Sequence, residues 1–145
     1  MIKLFTIGFT GKSAEKFFGI LKKAGVKKII DIRISNSSQL AGFTKGNDLK
    51  YFAKEIANIS YEHNLNYAPT KELMHSYREK EITQDKWETE YLKLLKERKV
   101  LKDIEYKNFN NAVLLCSEEK AEHCHRNLLA QYLKKNNKEI EIIHL

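Results

Sequence analysis

Short apolar runs alternate along this chain with longer stretches in which apolar residues recur every three or four positions. A run of four to eight apolar residues is typical of a buried strand, and a three-and-four recurrence is typical of an amphipathic helix. The apolar runs predict five β-strands, at residues 2–7, 28–34, 65–68, 112–116 and 140–145.

Helical patterns fill the gaps between these strands. Ser13 is predicted to cap a helix that ends at Gly25, and a second helical spacing covers 49–63. A third helix opens at Thr83, and a fourth covers about 123–135. The order β-α-β-α-β-α-β-α-β predicts a single three-layer α/β domain over 1–145, with a mostly parallel five-stranded sheet and helices on both faces.

The composition fits a soluble globular domain. The chain has 145 residues, of which 42% are hydrophobic and 31% charged, and it has only two cysteines. No apolar run approaches the roughly 20 residues that a membrane helix needs, so no membrane association is expected. Met1 leads straight into a strand without a signal-peptide pattern. Two cysteines are too few for a disulfide framework, so reduced thiols and a cytoplasmic location are expected.

The positive charge is concentrated in the first half of the chain. Residues 1–70 carry 11 Lys and Arg against 5 Asp and Glu, whereas residues 71–145 carry 15 against 14. This distribution would attract an anionic partner, either a small anion or a nucleic acid. The alternative is a set of solvated lysines, because the lysines at 22–28 lack interleaved aromatic residues.

Polar residues follow three of the predicted strands, and in a parallel sheet the carboxyl ends of the strands share one edge. Ligands of open α/β sheets bind outside that edge. The residues expected to share a cleft there are Gly8, Thr10, Arg33, Glu118, Cys124, His125 and Arg126.

Each of these residues has a chemical role that suits an anion. Arg33 and Arg126 would hold a phosphate or carboxylate, helped by backbone N–H groups at residues 8–10 and at the start of the last helix. Glu118 is the candidate proton carrier, and Cys124 or His125 is the candidate nucleophile or second acid/base. A thiol in the first helical turn beside imidazole and guanidinium groups favours the thiolate form.

Structural alternatives stay open for the same residues. Asp31 and Arg33 lie two positions apart, on one side of a strand, and could simply pair with each other. Cys116 and Cys124 could be packing residues, and Glu118 could be a solvated surface carboxylate.

A metal site is the remaining alternative. Cys116, His123, Cys124 and His125 offer the right ligand types, but their spacing is not that of a standard zinc motif. Three adjacent residues cannot easily direct all their side chains at one ion. We therefore predict no metal site and assign no cofactor.

Three segments of the chain resemble the domain of unknown function 488 family. They are Thr6-Ile7-Gly8-Phe9-Thr10, Asp31-Ile32-Arg33, and Leu115-Cys116-Ser117-Glu118 followed by Cys124-His125-Arg126 and Leu128-Leu129-Ala130. The resemblance spans nearly the whole chain, and the paired carboxyl-terminal segment is its most specific part. It implies a three-layer α/β fold with a polar cleft and supplies no reaction.

The chain departs from the family pattern at two places. Phe9 and Thr10 stand where the family usually has histidine and serine, which removes an imidazole from the expected cleft. Residues 35–37 and 71–73 replace a usual proline and a usual glycine pair. The sequence thus predicts an enzyme acting on a small phosphorylated or nucleotide-like anion, or alternatively a non-catalytic nucleic-acid- or nucleotide-binding module.

Overall fold

A computed structural model describes residues 1–37, 42–117 and 124–145. Its centre is a sheet of five strands: β1 (Ile2–Gly8), β2 (Lys28–Asp31), β3 (Ser60–His63), β4 (Ala112–Cys116) and β5 (Ile140–His144). All neighbouring strands are parallel, in the order β3-β2-β4-β1-β5.

Five α-helices flank the sheet: α1 (Ala14–Ala24), α2 (Gly46–Ala57), α3 (Lys71–Arg78), α4 (Gln84–Glu97) and α5 (His125–Asn136). The predicted boundaries of α1 are confirmed. The Ser13 hydroxyl accepts a hydrogen bond from the Lys16 N–H, and Gly25 ends the helix with a φ of 78°, a conformation that glycine adopts without strain. The predicted opening of α4 at Thr83 is confirmed in the same way, by a bond from the Lys86 N–H.

Two separate apolar cores lie on the two faces of the sheet. Phe17 of α1 and Leu49 of α2 pack against one face, and Tyr91 of α4 and Leu129 of α5 pack against the other. The predicted three-layer α/β architecture is therefore confirmed. The helices that follow the adjacent strands β1 and β4, namely α1 and α5, pack on opposite faces of the sheet, and this arrangement opens a crevice at its carboxyl edge.

The third strand is not where the apolar pattern predicted it. Residues 65–68 contain a short 3-10 helix, Leu65–Tyr67, and the strand is Ser60–His63 instead. The helical spacing that appeared to run to residue 63 is interrupted at Asn58, which takes a φ of 53° and ends α2. Because β3 is an edge strand whose residues are only partly buried, it lacks the hydrophobic signal of an interior strand.

The second strand is shorter than predicted because its polar end turns the chain. Asp31 Oδ1 accepts a hydrogen bond from the Arg33 backbone N–H, which bends the chain just after β2. This turn directs the Arg33 side chain back toward Asp31. None of the described helices is long and apolar enough to cross a membrane.

Candidate functional site

A cleft of about 730 Å³ lies at the carboxyl edge of the sheet, where the topology predicted it. Phe9 and Thr10 follow β1, Arg33 follows β2, and Ser117 follows β4. His125, the first residue of α5, also lines the cleft. Three regions that are far apart in the sequence therefore meet at one cavity.

Arg33 is a buried cation in the wall of this cleft, with only 5% of its surface exposed. Its Nε donates to Asp31 Oδ1 at 2.8 Å and its Nη2 to Asp31 Oδ2 at 2.7 Å. Nη2 also donates to the Thr44 carbonyl at 2.7 Å. The pairing that sequence analysis kept as the structural alternative is thus present, and in the described part of the chain Nη1 is the guanidinium nitrogen left without a partner.

The carboxylate behind Arg33 is held from its other side. The Tyr61 hydroxyl donates to Asp31 Oδ2 at 2.6 Å and accepts from Asn36 Nδ2 at 3.1 Å. Burial, together with the hydrogen bond to Asp31, raises the pKa of Tyr61 to about 12, so the phenol stays protonated as a donor. His63 Nε2 is bonded to the Arg33 carbonyl at 2.7 Å. Arg33 is therefore fixed in position by side chains of β2 and β3.

Phe9 gives the replaced histidine position a different role. Its ring is buried, and the Arg33 guanidinium carbon lies 5.3 Å from the ring centroid, in cation–π contact. Next to it, the Thr10 hydroxyl donates to the Ser117 carbonyl at 2.5 Å, and the Thr10 backbone N–H donates to the same oxygen at 3.1 Å. The Thr10 N–H is thus already bonded, and the side-chain oxygen keeps acceptor capacity for a ligand.

The opposite wall comes from α3, a helix that sequence analysis did not assign. Lys71, His75 and Arg78 are exposed and line the cleft, at the i, i+4 and i+7 spacing of one helix face. Glu79, at the end of the helix, lines the cleft as well. The N-cap Thr70, whose hydroxyl accepts from the Leu73 N–H, was the available signal for this helix.

The two cysteines meet beneath the cleft. Cys116 ends β4 and Cys124 precedes α5, and the structure places their sulfur atoms in direct contact as a disulfide pair. Both side chains are buried. The cysteine count led us to expect two separate reduced thiols, and the structure pairs the two cysteines instead. Arg126 is 1% exposed, and its Nη1 donates to the Cys116 sulfur at 3.0 Å.

His125 connects this pair to the cleft. Its Nε2 lies 2.8 Å from the Ile32 carbonyl, and a carbonyl only accepts, so Nε2 carries the proton and Nδ1 carries the lone pair. Nδ1 lies 3.9 Å from the Cys124 sulfur. Burial, and secondarily the charge of Arg126, lower the pKa of His125 to about 4 despite the bond to Ile32. The imidazole is therefore neutral near pH 7.

The structure brings most of the predicted residues to one place. Thr10, Arg33 and His125 line the cleft, and Cys124 lines an adjoining pocket of about 470 Å³ that shares His125 and Arg78 with it.

Three other predicted residues occupy different positions. Gly8 is inside β1, opposite Cys116, and Arg126 lies beneath the cleft against the Cys116 sulfur rather than in the described lining. Glu118, the predicted proton carrier, lies outside the described residues, as does His123.

Comparison with known proteins gives one match. The family model described as "Domain of unknown function DUF488" matches residues 13–133. No curated protein and no solved structure shows significant similarity to the chain. The matched range covers α1 to α5, including Arg33, both cysteines and His125. The chain therefore belongs to the DUF488 family, as the resemblance of its strand-end segments indicated.

Proposed function

We propose that this protein is an enzyme that binds and converts a small phosphorylated or nucleotide-like anion in the carboxyl-edge cleft. One observation carries the proposal: a buried arginine, whose Nη1 has no partner among the described residues, lines a cleft whose facing helix presents Lys71, His75 and Arg78. Charge-assisted hydrogen bonds to phosphate oxygens are about twice as strong as neutral ones.

The division of charge supports binding of an anion over a neutral ligand. Asp31 neutralises the charge of Arg33. Lys71 and Arg78 add two positive charges, and Glu79 is the one acidic residue in the described lining of the cleft. The Arg33 fork is already committed to Asp31, so Nη1 would supply one hydrogen bond and the α3 side chains would supply the rest. The enclosed volume fits a small molecule better than a polynucleotide, which needs an extended surface.

Catalysis would draw on residues between the end of β4 and the first turn of α5. Glu118 is the proposed proton carrier, and His125 or, once its pair with Cys116 is reduced, Cys124 is the proposed nucleophile or second acid/base. The neutral imidazole of His125 can accept a proton at Nδ1. We propose a cytoplasmic protein, since two cysteines in 145 residues are too few for the disulfide framework of a small secreted domain.

The test is a titration of inorganic phosphate, pyrophosphate and nucleoside monophosphates, followed by calorimetry, with wild type and Arg78→Ala. Loss of one charged contact should weaken the binding of the preferred anion about tenfold or more. Lys134→Ala removes an exposed lysine from the last turn of α5 and is the matched charge control, with affinity expected to change less than twofold.

A second measurement, of turnover and affinity in Glu118→Gln, distinguishes an enzyme from a non-catalytic binding protein. Glu118→Gln should keep the affinity for the anion within a few-fold and abolish turnover. Equal affinities in wild type and Arg78→Ala would remove the cleft as the binding site. Binding of oligonucleotides alone, with affinity falling steeply as salt rises, would instead favour the nucleic-acid-binding alternative.

A further inference from the structure

Cys116, Cys124 and His125 form a compact group of three metal-binding side chains. Their ligand atoms all lie within 4.8 Å of one another, and all three residues are buried. From the sequence alone, adjacent residues are expected to direct their side chains away from one another, and this expectation spoke against a metal site. The fold avoids this difficulty because Cys124 is the N-cap of α5 and His125 its first helical residue, so the two side chains leave different backbone conformations.

The backbone separation of the two cysteines suits shared coordination. Their Cα atoms are 7.7 Å apart, beyond the range of about 4.4–6.8 Å in which disulfides are usually found. Two thiolates on one zinc ion stand about 3.8 Å apart, given Zn–S bonds of about 2.3 Å in tetrahedral geometry. Rotation of the two side chains can therefore open the sulfur pair around an ion while the backbone stays where it is.

The histidine is already oriented as a ligand. A zinc-bound histidine typically donates its other ring N–H to a carboxylate or a backbone carbonyl, which fixes the tautomer and the ring plane. His125 Nε2 is bonded to the Ile32 carbonyl in this way, and the Nδ1 lone pair faces the Cys124 sulfur at 3.9 Å. In a tetrahedral zinc site the nitrogen and sulfur ligands are about 3.6 Å apart. The observed distance is close to this value.

We infer that Cys116, Cys124 and His125 form a Cys2His site for zinc, with the fourth position filled from the adjoining pocket. Thiolate and imidazole ligands together select zinc over harder cations. The sulfur pair first takes up two electrons and two protons on reduction by a phosphine or thiol reductant. Each cysteine of the dithiol then loses its proton to solvent as its sulfur binds, so two thiolates balance the charge of one divalent ion. The Arg126 bond to the Cys116 sulfur then acts as a charge-assisted bond to a metal-bound thiolate.

Three of the four ligand positions are filled from the described residues. Structural zinc sites usually have four protein ligands, whereas catalytic sites keep one position for water or substrate, so a site completed from the adjoining pocket would be a functional one. Cys124 and His125 line the pocket of about 470 Å³, which they share with Tyr77, Arg78 and Gln84. A small molecule in that pocket can reach the ion. This inference goes beyond the proposed binding of an anion by Arg33 and α3. With zinc bound, Cys124 and His125 act as metal ligands, and Glu118 remains the proposed proton carrier.

The experiment is a cobalt titration of the full chain, reduced with a phosphine and freed of metal by a chelator that is then removed. One equivalent of Co²⁺ should produce a thiolate-to-cobalt charge-transfer band with the intensity of two thiolates, and the visible bands of a tetrahedral ion. One equivalent of Zn²⁺ should abolish both. This readout uses wild type, so it does not depend on whether buried-cysteine variants fold.

His125→Gln supplies the ligand test, and His63→Gln is its matched control. Both histidines are bonded through Nε2 to a backbone carbonyl that follows β2. Among the contacts of the described residues, His125 is the histidine that also lies beside a cysteine sulfur. His125→Gln should weaken zinc binding by about 100-fold or more, since loss of a residue that only hydrogen-bonds to a metal ligand already weakens it 10–100-fold. His63→Gln should leave the affinity within about twofold.

Two results would overturn the inference. One is a folded, reduced wild type that binds neither ion stoichiometrically. The other is an equal zinc affinity in His125→Gln and His63→Gln. Either outcome leaves the anion proposal standing, because phosphate affinity and its loss in Arg78→Ala are measured separately in the presence of chelator.

Discussion

Two buried polar clusters lie at the ends of the neighbouring strands β2 and β4, and they differ in how fully their hydrogen-bonding capacity is used. At the end of β2, the Asp31 carboxylate receives bonds from Arg33 and Tyr61, and the arrangement is braced by His63. At the end of β4, two sulfur atoms face the lone pair of His125, and an arginine donates to one of them.

The difference indicates what each cluster can do. Carboxylate, guanidinium and phenol groups that already satisfy one another hold a backbone in place and have little capacity for a ligand. Two sulfur atoms and an imidazole lone pair within a few ångströms of one another are ligand types that bind zinc. The β2 cluster is therefore a brace that presents Arg33 Nη1, and the β4 cluster is the candidate reactive centre.

The largest effect is expected from breaking the brace. Asp31→Ala leaves the Arg33 charge buried without its partner and removes the acceptor of Tyr61, since both ion-pair residues are at most 5% exposed. The free energy of unfolding should fall by about 3–5 kcal/mol, measured by urea denaturation. Glu62→Gln, in the partly exposed pair of Lys28 and Glu62, is the control and should change it by less than about 1 kcal/mol. Similar losses in the two variants would show that Asp31 is not a buried brace.

Replacing either of the two histidines that are bonded to backbone carbonyls, one in each cluster, is expected to have an intermediate effect on stability. In the presence of chelator, His125→Gln and His63→Gln each lose one hydrogen bond to a backbone carbonyl. Each should therefore lower the free energy of unfolding by about 0.5–1.5 kcal/mol. If His125→Gln alone prevents folding without metal, the imidazole is a core element whose structural role cannot be separated from ligand binding.

The smallest effect concerns the alkaline limb of stability. The pKa of Tyr61 in the folded chain is about 12, because of burial and the bond to Asp31, and its ordinary value is 10.0. A raised folded-state pKa means that the phenol proton favours the folded chain. The contribution is present below about pH 10 and is lost as the pH rises toward 12.

Urea denaturation at a series of pH values tests this expectation. Wild type should lose more of its unfolding free energy between pH 10 and 12 than Tyr61→Phe, whose side chain does not titrate. Parallel curves for the two proteins would mean that the Tyr61 hydroxyl is not held by Asp31.

Helix ends marked by a local capping residue were predicted correctly from the sequence. Two elements with a weak hydrophobic signal were missed. Ser13, Gly25 and Thr83 mark helix ends through their own backbone and side-chain bonds, so the ends of α1 and the opening of α4 could be read directly. The strand β3 was missed because it is an edge strand with partly exposed residues. The helix α3 was missed because none of its residues is fully buried, which left no hydrophobic stripe to detect.

The residues of the candidate site also form two groups, those that the order of elements predicts and those that it does not. The order of strands and helices is enough to place Thr10, Arg33 and His125 at one sheet edge, because parallel strands share their carboxyl ends. It could not supply Lys71, His75 and Arg78, since the position of α3 depends on how its partly buried face packs against α4 and the cleft. Nor could it supply the contact between Cys116 and Cys124, which the positions of β4 and α5 create.

The sequence by itself therefore determined the α/β class, the parallel order of elements and the sheet edge at which the cleft lies. Those features follow from hydrophobic periodicity and from the chirality of strand connections, which act over short stretches of chain. The tertiary structure alone decided which donors remain available. Arg33 is largely neutralised by Asp31, Arg126 is turned toward Cys116, and His125 is locked by Ile32 into the tautomer that faces Cys124. Hydrogen-bond partners between distant segments are fixed only when the sheet and its two helical layers are assembled.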